Sequence, residues 1–187
     1  MKTTELRQAV PQPLGLVWID CTCAALSLEL EETLNASAHI YCGHQPPKEG
    51  GDPSTVIVGL DGEEDIASKL KYYRAQAPNA PILVFGLHID PQSARAALLA
   101  GAHGFLHLGM QPAQVIHILS GASKGQTIVS RTLLEAFLVQ INAQAHLVLT
   151  PRQRDILEMI AVAATPKGEI AMPRKLLEAF LKEVAIA

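Results

Sequence analysis

Apolar residues in this chain fall in short continuous runs, separated by stretches with helical spacing. Leu14–Ile19 is closed by Asp20, and His39–Cys42, Thr55–Leu60, Pro81–Phe85 and Gly104–Leu108 follow at intervals. Each run is rich in Val, Ile, Leu or Phe and too short for a helix, which predicts five buried strands. Between them, Ala24–Leu34 carries Leu26, Leu30 and Leu34 at spacing four, one apolar helical face. Ile66–Ala77 predicts a second helix with Leu70 and Tyr73 turned inward. Pro91 opens a helix that Gly101 closes, and Pro112 opens one that Lys124-Gly125 ends, the order of stop and start signals expected at helix termini. Continuously apolar strands alternating with helices predict a parallel sheet covered on both faces. The fold class is therefore α/β, a doubly wound five-stranded parallel sheet of order 2-1-3-4-5, with a small all-α segment after it.

The same pattern divides the chain. Residues 1–13 are a polar lead-in ending in Pro-Gln-Pro, 14–125 the α/β domain, 126–148 a helical linker and 149–187 a helical C-terminal segment. In that last segment Thr150, Pro151 and Gln153 suit the N-cap, first position and capping box of a helix. Pro173 separates it from a final helix whose broad apolar face holds Leu176, Leu177, Phe180, Leu181 and Val184. One repetition stands out: Lys124–Leu138 closely matches Lys167–Leu181, and both carry Leu-Leu-x-x-Phe-Leu. Two copies do not make a solenoid, but both faces are able to pair with each other or with a second chain.

Composition narrows the function. The chain has 187 residues, 49% of them apolar, enough for one full domain and a small appendage. No apolar run reaches the roughly 18 residues of a membrane span, and the N-terminus lacks a secretory core, so a soluble cytoplasmic protein without membrane contact is expected. Net charge is −3, with −4 up to Val148 and +1 from Leu149 onward, which is no strongly basic footprint for nucleic acid. Three cysteines are too few for a disulfide scaffold.

In a sheet of this order, ligand chemistry sits beyond the carboxyl ends of the strands. The residues to weigh are thus Asp20-Cys21, Cys42-Gly43-His44, Gly59–Asp61, Gly86–His88 and Leu108-Gly109. No phosphate-binding loop, dinucleotide fingerprint or nucleophile elbow is present, and the remaining histidines have no catalytic spacing, so an enzyme is not expected. Cys21, Cys23, Cys42 and His44 follow neighbouring strands and offer soft-metal ligands, although C-x-C and C-x-H are tighter than usual zinc spacings. Small buried thiols are the simpler reading, and no cofactor is expected.

Gly101-Ala-His-Gly-Phe-Leu-His-Leu-Gly-Met, followed by a helix and Lys-Gly-Gln-Thr-Ile-Val-Ser, resembles the end of the receiver domain of NarL/LuxR-type response regulators. Pro81–Gly86, Ala94–Ala102 and Ile19-Asp20 fit the same pattern, so the resemblance spans roughly 14–138 and is strongest from Pro81. It implies a receiver, flavodoxin-like fold and a magnesium-dependent aspartyl-phosphate site: two acids after the first strand, an acceptor Asp after the third, a hydroxyl after the fourth and a Lys after the fifth. Here those positions read Asp20-Cys21, Gly59 (with Asp61 two residues on), Gly86 and Leu108. Cysteine is a poor ligand for a hard cation, glycine has no nucleophile, and leucine cannot pair with a phosphoryl group. The rival reading slides Asp61 into the acceptor role. The resemblance further implies a pairing face along Ala94–Gly121, with Arg95 and Gln114 as its exposed members and Leu98, Phe105, Leu106, Ile116 and Leu119 in the core.

Leu149–Ile160 resembles the opening helix of a LuxR-type helix-turn-helix domain, and Lys167–Ala171 its second helix, but the recognition helix is missing from the pattern after Ala171. Two functions stay open. One is a phosphorylation-independent transcriptional regulator that binds DNA as a homodimer through Arg152, Arg154, Arg174 and Lys175. The other is a pseudo-receiver adaptor that binds another signalling protein instead of DNA.

Overall fold

The computed structural model describes residues 14–48, 50–60, 65–87, 90–144, 169–175 and 177. Five strands stand where the apolar runs predict them: β1 (Leu16–Asp20), β2 (His39–Cys42), β3 (Thr55–Gly59), β4 (Ile82–Gly86) and β5 (Gly104–His107). The helices between them are α1 (Ala24–Leu34), α2 (Ile66–Gln76), α3 (Pro91–Ala100) and α4 (Pro112–Ser123). Their ends obey local chemistry. The Asp65 side chain accepts the Ala67 amide, the Asp90 side chain accepts those of Gln92 and Ser93, and Gly101 at φ 112° closes α3 in the left-handed conformation that favours glycine.

The chain then adds three elements, β6 (Gln126–Ser130), α5 (Arg131–Gln144) and β7 (Glu169–Pro173). The sheet runs β2-β1-β3-β4-β5-β6-β7, parallel through β6 and antiparallel between β6 and β7. The first five strands have the expected order 2-1-3-4-5. Two expectations are corrected: residues 126–130 are a strand rather than the start of a helical linker, and 169–173 are a strand rather than part of an all-α segment. Thr127, Ile128 and Val129 are three buried β-branched residues beside the open edge of β5, and β7 in turn covers the open edge of β6. The expected helix at Leu149–Ile160 lies outside the described residues, as does the final helix apart from residues 174, 175 and 177.

Both faces of the sheet are packed. On one side Val17, Ile19, Leu83 and Leu106 meet Leu30 and Leu34 of α1 and Val115, Ile118 and Leu119 of α4. On the other, Trp18, Val56, Val58 and Val84 meet α2, α3, Leu134 and Phe137 of α5, and Leu177. Val17, Trp18 and Ile19 are all fully buried, as a central strand covered on both faces requires. Among the described residues no helix is long and apolar enough to cross a membrane.

Candidate functional site

The carboxyl ends of β1, β3, β4 and β5 meet at one edge of the sheet, and that edge can be built residue by residue. Asp20 is the last residue of β1 and is 4% exposed. Such a carboxylate must be paired or hydrogen-bonded. The Tyr73 hydroxyl from α2 donates to one oxygen, and His44 Nδ1 lies 2.5 Å from the other. The tyrosine is fixed by its neighbours, since its ring meets Trp18 edge-on at 5.1 Å and Tyr72 at 5.0 Å. Trp18 Nε1 donates to the Gly43 carbonyl at 2.6 Å, holding the stretch after β2 close to β1 and bringing His44 over Asp20.

Gly59 ends β3 at the position where the receiver resemblance places the phosphoryl acceptor. A Cβ there would lie 2.7 Å from Cys21 Sγ and 3.0 Å from both Cys21 Cα and Cβ. The cysteine therefore fills the volume above β3 that an acceptor side chain needs, and Gly59 is the residue that leaves room for it. Lys69 of α2 donates to the Gly59 carbonyl at 3.0 Å. Gly86, last in β4, is buried and offers no hydroxyl. Leu108 sits in the turn after β5, 42% exposed, and in that turn the Gly109 amide donates to Glu29 of α1 at 2.8 Å. A carboxylate thus approaches the place where the resemblance requires a lysine. Asp61 lies outside the described residues.

The resemblance implies Mg²⁺, and these residues do not fit it. The ion needs open oxygen ligands, yet Asp20 is engaged by a phenol and an imidazole and Cys21 is turned onto Gly59. The soft-metal alternative fares no better. The Cys21 thiol donates to the Cys23 carbonyl at 3.6 Å, and the Cys42 thiol to Glu31 at 3.1 Å. Partial burial, then the hydrogen bond to Glu31 and its negative charge, with the nearby Cys21, push the Cys42 thiol up to about 12, which opposes the thiolate a metal requires. Among the described residues no three His, Cys, Asp or Glu side chains are grouped to hold an ion.

The four candidate nucleic-acid residues separate. Arg152 and Arg154 lie outside the described residues, and Lys175 is exposed. Arg174 is half-buried: its guanidinium donates to the Gly101 carbonyl at 2.9 Å and lies 3.3 Å from His103 Nε2. Arg74 donates to the same carbonyl at 2.9 Å. Burial, and then the charge of Arg174, lower the pKa of Arg74 below the usual guanidinium value. Of the pairing-face candidates, Arg95 and Gln114 are both half-buried. Gln114 accepts the Gln111 amide at 3.2 Å, completing the cap of α4. Leu98, Phe105, Leu106 and Leu119 are core residues, as expected, whereas Ile116 is only half-buried.

Sequence reasoning did not assign Tyr73, Lys69 or Glu29 to this edge. A signal existed only for Tyr73, since an inward tyrosine three residues after Leu70 must find a partner for its hydroxyl.

No family model matches the chain. Curated relatives do, among them the methanol utilization control regulatory protein MoxX of Paracoccus denitrificans, 32% identical over 58% of this chain and 51% of its own length, and the nitrate/nitrite response regulator protein NarL of Escherichia coli, 28% identical over 70% and 63%. The chain thus spans between half and two thirds of the length of these relatives. Among solved structures, the RcsB response regulator of Salmonella typhimurium superposes with a TM-score of 0.57 at 14% identity, covering 94% of this chain and 88% of its own. The chain is related in sequence to response regulators of the NarL/LuxR type, and its α/β fold is the receiver fold.

Proposed function

We propose that the chain is a phosphorylation-independent regulator of the response-regulator kind, acting as a homodimer in transcriptional control. The observation that carries the reading is the close approach of Cys21 to Gly59: the space an acceptor carboxylate would use is taken by a thiol. Asp20 supports it, because its carboxylate is held by Tyr73 and His44. In such a protein the fold serves as a fixed docking body, and its state is set by partner or concentration instead of a phosphoryl group. Thermal melting with Mg²⁺ and the phosphoryl mimic beryllofluoride tests this. The reading expects an unchanged Tm, whereas a concentration-dependent rise would show a competent pocket.

A second reading is favoured by Arg174. One of the four side chains assigned to DNA phosphates is committed to Gly101 and the His103 ring on the α/β body. In that arrangement the molecule works as an adaptor that binds protein and not DNA. Titrating duplex DNA at several salt concentrations separates the two. A regulator that grips DNA loses affinity steeply with salt, and an adaptor shows no binding even at low salt.

A further inference from the structure

The stretches Lys124–Leu138 and Lys167–Leu181 agree at nine of fifteen positions when one is shifted by 43 residues. The structure seats the first stretch and the described part of the second, residues 169–175 and 177, at the same end of the sheet. β6 and β7 pair antiparallel, with Gln126 opposite Pro173, Ile128 opposite Ala171 and Ser130 opposite Glu169. The shift that aligns the two sequences carries Ile128 onto Ala171, so the residues equivalent in sequence also face each other at the centre of the ladder. An antiparallel pair centred on equivalent residues has a local twofold axis, the geometry of an isologous interface between two copies. The residues after each strand obey the same relation. Leu134 and its equivalent Leu177, 5% and 2% exposed, enter one core cluster.

Arg131 and Arg174 are equivalents as well, yet they are used differently. Arg131 is exposed and pairs with its own Glu135 at 2.8 Å, whereas Arg174 donates to the Gly101 carbonyl. On β6 itself, Thr127 is 1% exposed and its hydroxyl has no hydrogen-bond partner. The β6 edge is thus covered by the strand that holds the equivalent place in the repeat, although none of the five strand positions is identical, and a buried side-chain hydroxyl on β6 stays without a hydrogen-bond partner.

We infer that the β6 edge is a self-complementary docking surface for the β6–α5 unit of a second copy of this chain, and that β7 with Arg174 is an internal copy of that partner. In the dimer the partner's β6 takes the place of β7, the partner's Leu134 that of Leu177, and the partner's Arg131 reaches the Gly101 carbonyl. Strand content favours closure at two copies. Gln126–Ser130 contains no proline, while β7 ends in Pro173, which lacks an amide and makes a poor template for a further strand. The inference names a surface for the proposed dimer and is independent of phosphate insensitivity, which would stand without it.

The full chain carries the test, by light scattering over a concentration series with hydrogen exchange read at β6 and β7. Arg174→Ala loosens the internal copy and is expected to move the monomer–dimer midpoint to about tenfold lower concentration. Adding Arg131→Ala to that variant is expected to return it to monomer. A second variant, Ile170→Pro with Ala171→Pro, breaks the β6–β7 ladder directly, because successive amides point to opposite edges and one of the two must face β6. Dimer with β6 amides still protected supports the inference. Three results would overturn it: a folded monomer whose β7 amides have lost protection, a dimer indifferent to Arg131, or wild-type dimer unaffected by any of these changes.

Discussion

At the scale of the residue, the candidate site is decided by which side chain occupies a few cubic ångströms above β3. Cys21 and Gly59 are a matched pair, since a Cβ at 59 would come within 2.7 Å of the thiol and 3.0 Å of the Cys21 Cα. Because the backbone of Cys21 is itself that close, turning the thiol away does not relieve the crowding. Gly59→Ala is therefore expected to lower stability by about 1–3 kcal/mol in urea unfolding. Tyr73→Phe is expected to cost about 1–3 kcal/mol, because it takes a donor from the buried Asp20 carboxylate. A near-neutral result would mean that Asp20 is satisfied without the phenol. Cys42 gives a chemical readout. With its thiol at about 12, it should alkylate far more slowly at pH 8 than an ordinary cysteine, and Glu31→Gln should speed it by removing a negative charge. These residues differ in how far the sequence shows them. That Gly59, Gly86 and Leu108 stand at the ends of the third, fourth and fifth strands is legible, because strand ends can be located from apolar runs. Of the partners, Tyr73 shows only as an inward residue of α2, and Lys69 and Glu29 do not show at all, because each comes from a helix whose rotation over the sheet is fixed by packing and leaves little trace in local pattern.

At the scale of the element, helix starts and stops are the best-written part of the chain. Asp90-Pro91 and Gly101 bound α3 as their chemistry requires, and the Asp90 carboxylate takes the Gln92 and Ser93 amides at 2.9 and 3.0 Å. Hydrogen bonds from the Ser93 side chain and amide, and from the Gln92 amide, hold Asp90 below its ordinary pKa. A depressed carboxylate contributes stability that is fully present above its unfolded pKa and is lost as pH falls through the folded one. Asp90→Ala should therefore cost about 1 kcal/mol near neutral pH. Wild type and variant should converge as pH drops below about 4. Parallel loss at all pH values would contradict the role of the charge. β6 and β7 are hidden for the opposite reason. Gln126–Ser130 and Glu169–Pro173 are as long as β1, but neither is a continuous apolar run, and each becomes a strand because a neighbouring edge needs covering. The repeat is visible in the sequence, but its meaning is not: matching Leu-Leu-x-x-Phe-Leu suggests helix pairing, and the structure shows that the strands before those residues carry the symmetry.

At the scale of the whole molecule, the receiver fold and the composition of its functional edge point in different directions. The order of the first five strands and the two packed faces are those of the receiver fold and the sequence relatives are response regulators, while the edge beyond β1, β3 and β5 holds Cys21 against Gly59, an Asp20–Tyr73–His44 cluster and Glu29. The extra strands extend the same body at its far edge, so that in the proposed reading signalling by docking replaces signalling by covalent charge. The most direct test is the intact mass of the full chain after incubation with acetyl phosphate and Mg²⁺ under non-denaturing conditions. The account predicts the unmodified mass alone. A phosphoryl adduct that maps to Asp61 would show that a carboxylate reaches the pocket despite Cys21, and would contradict it.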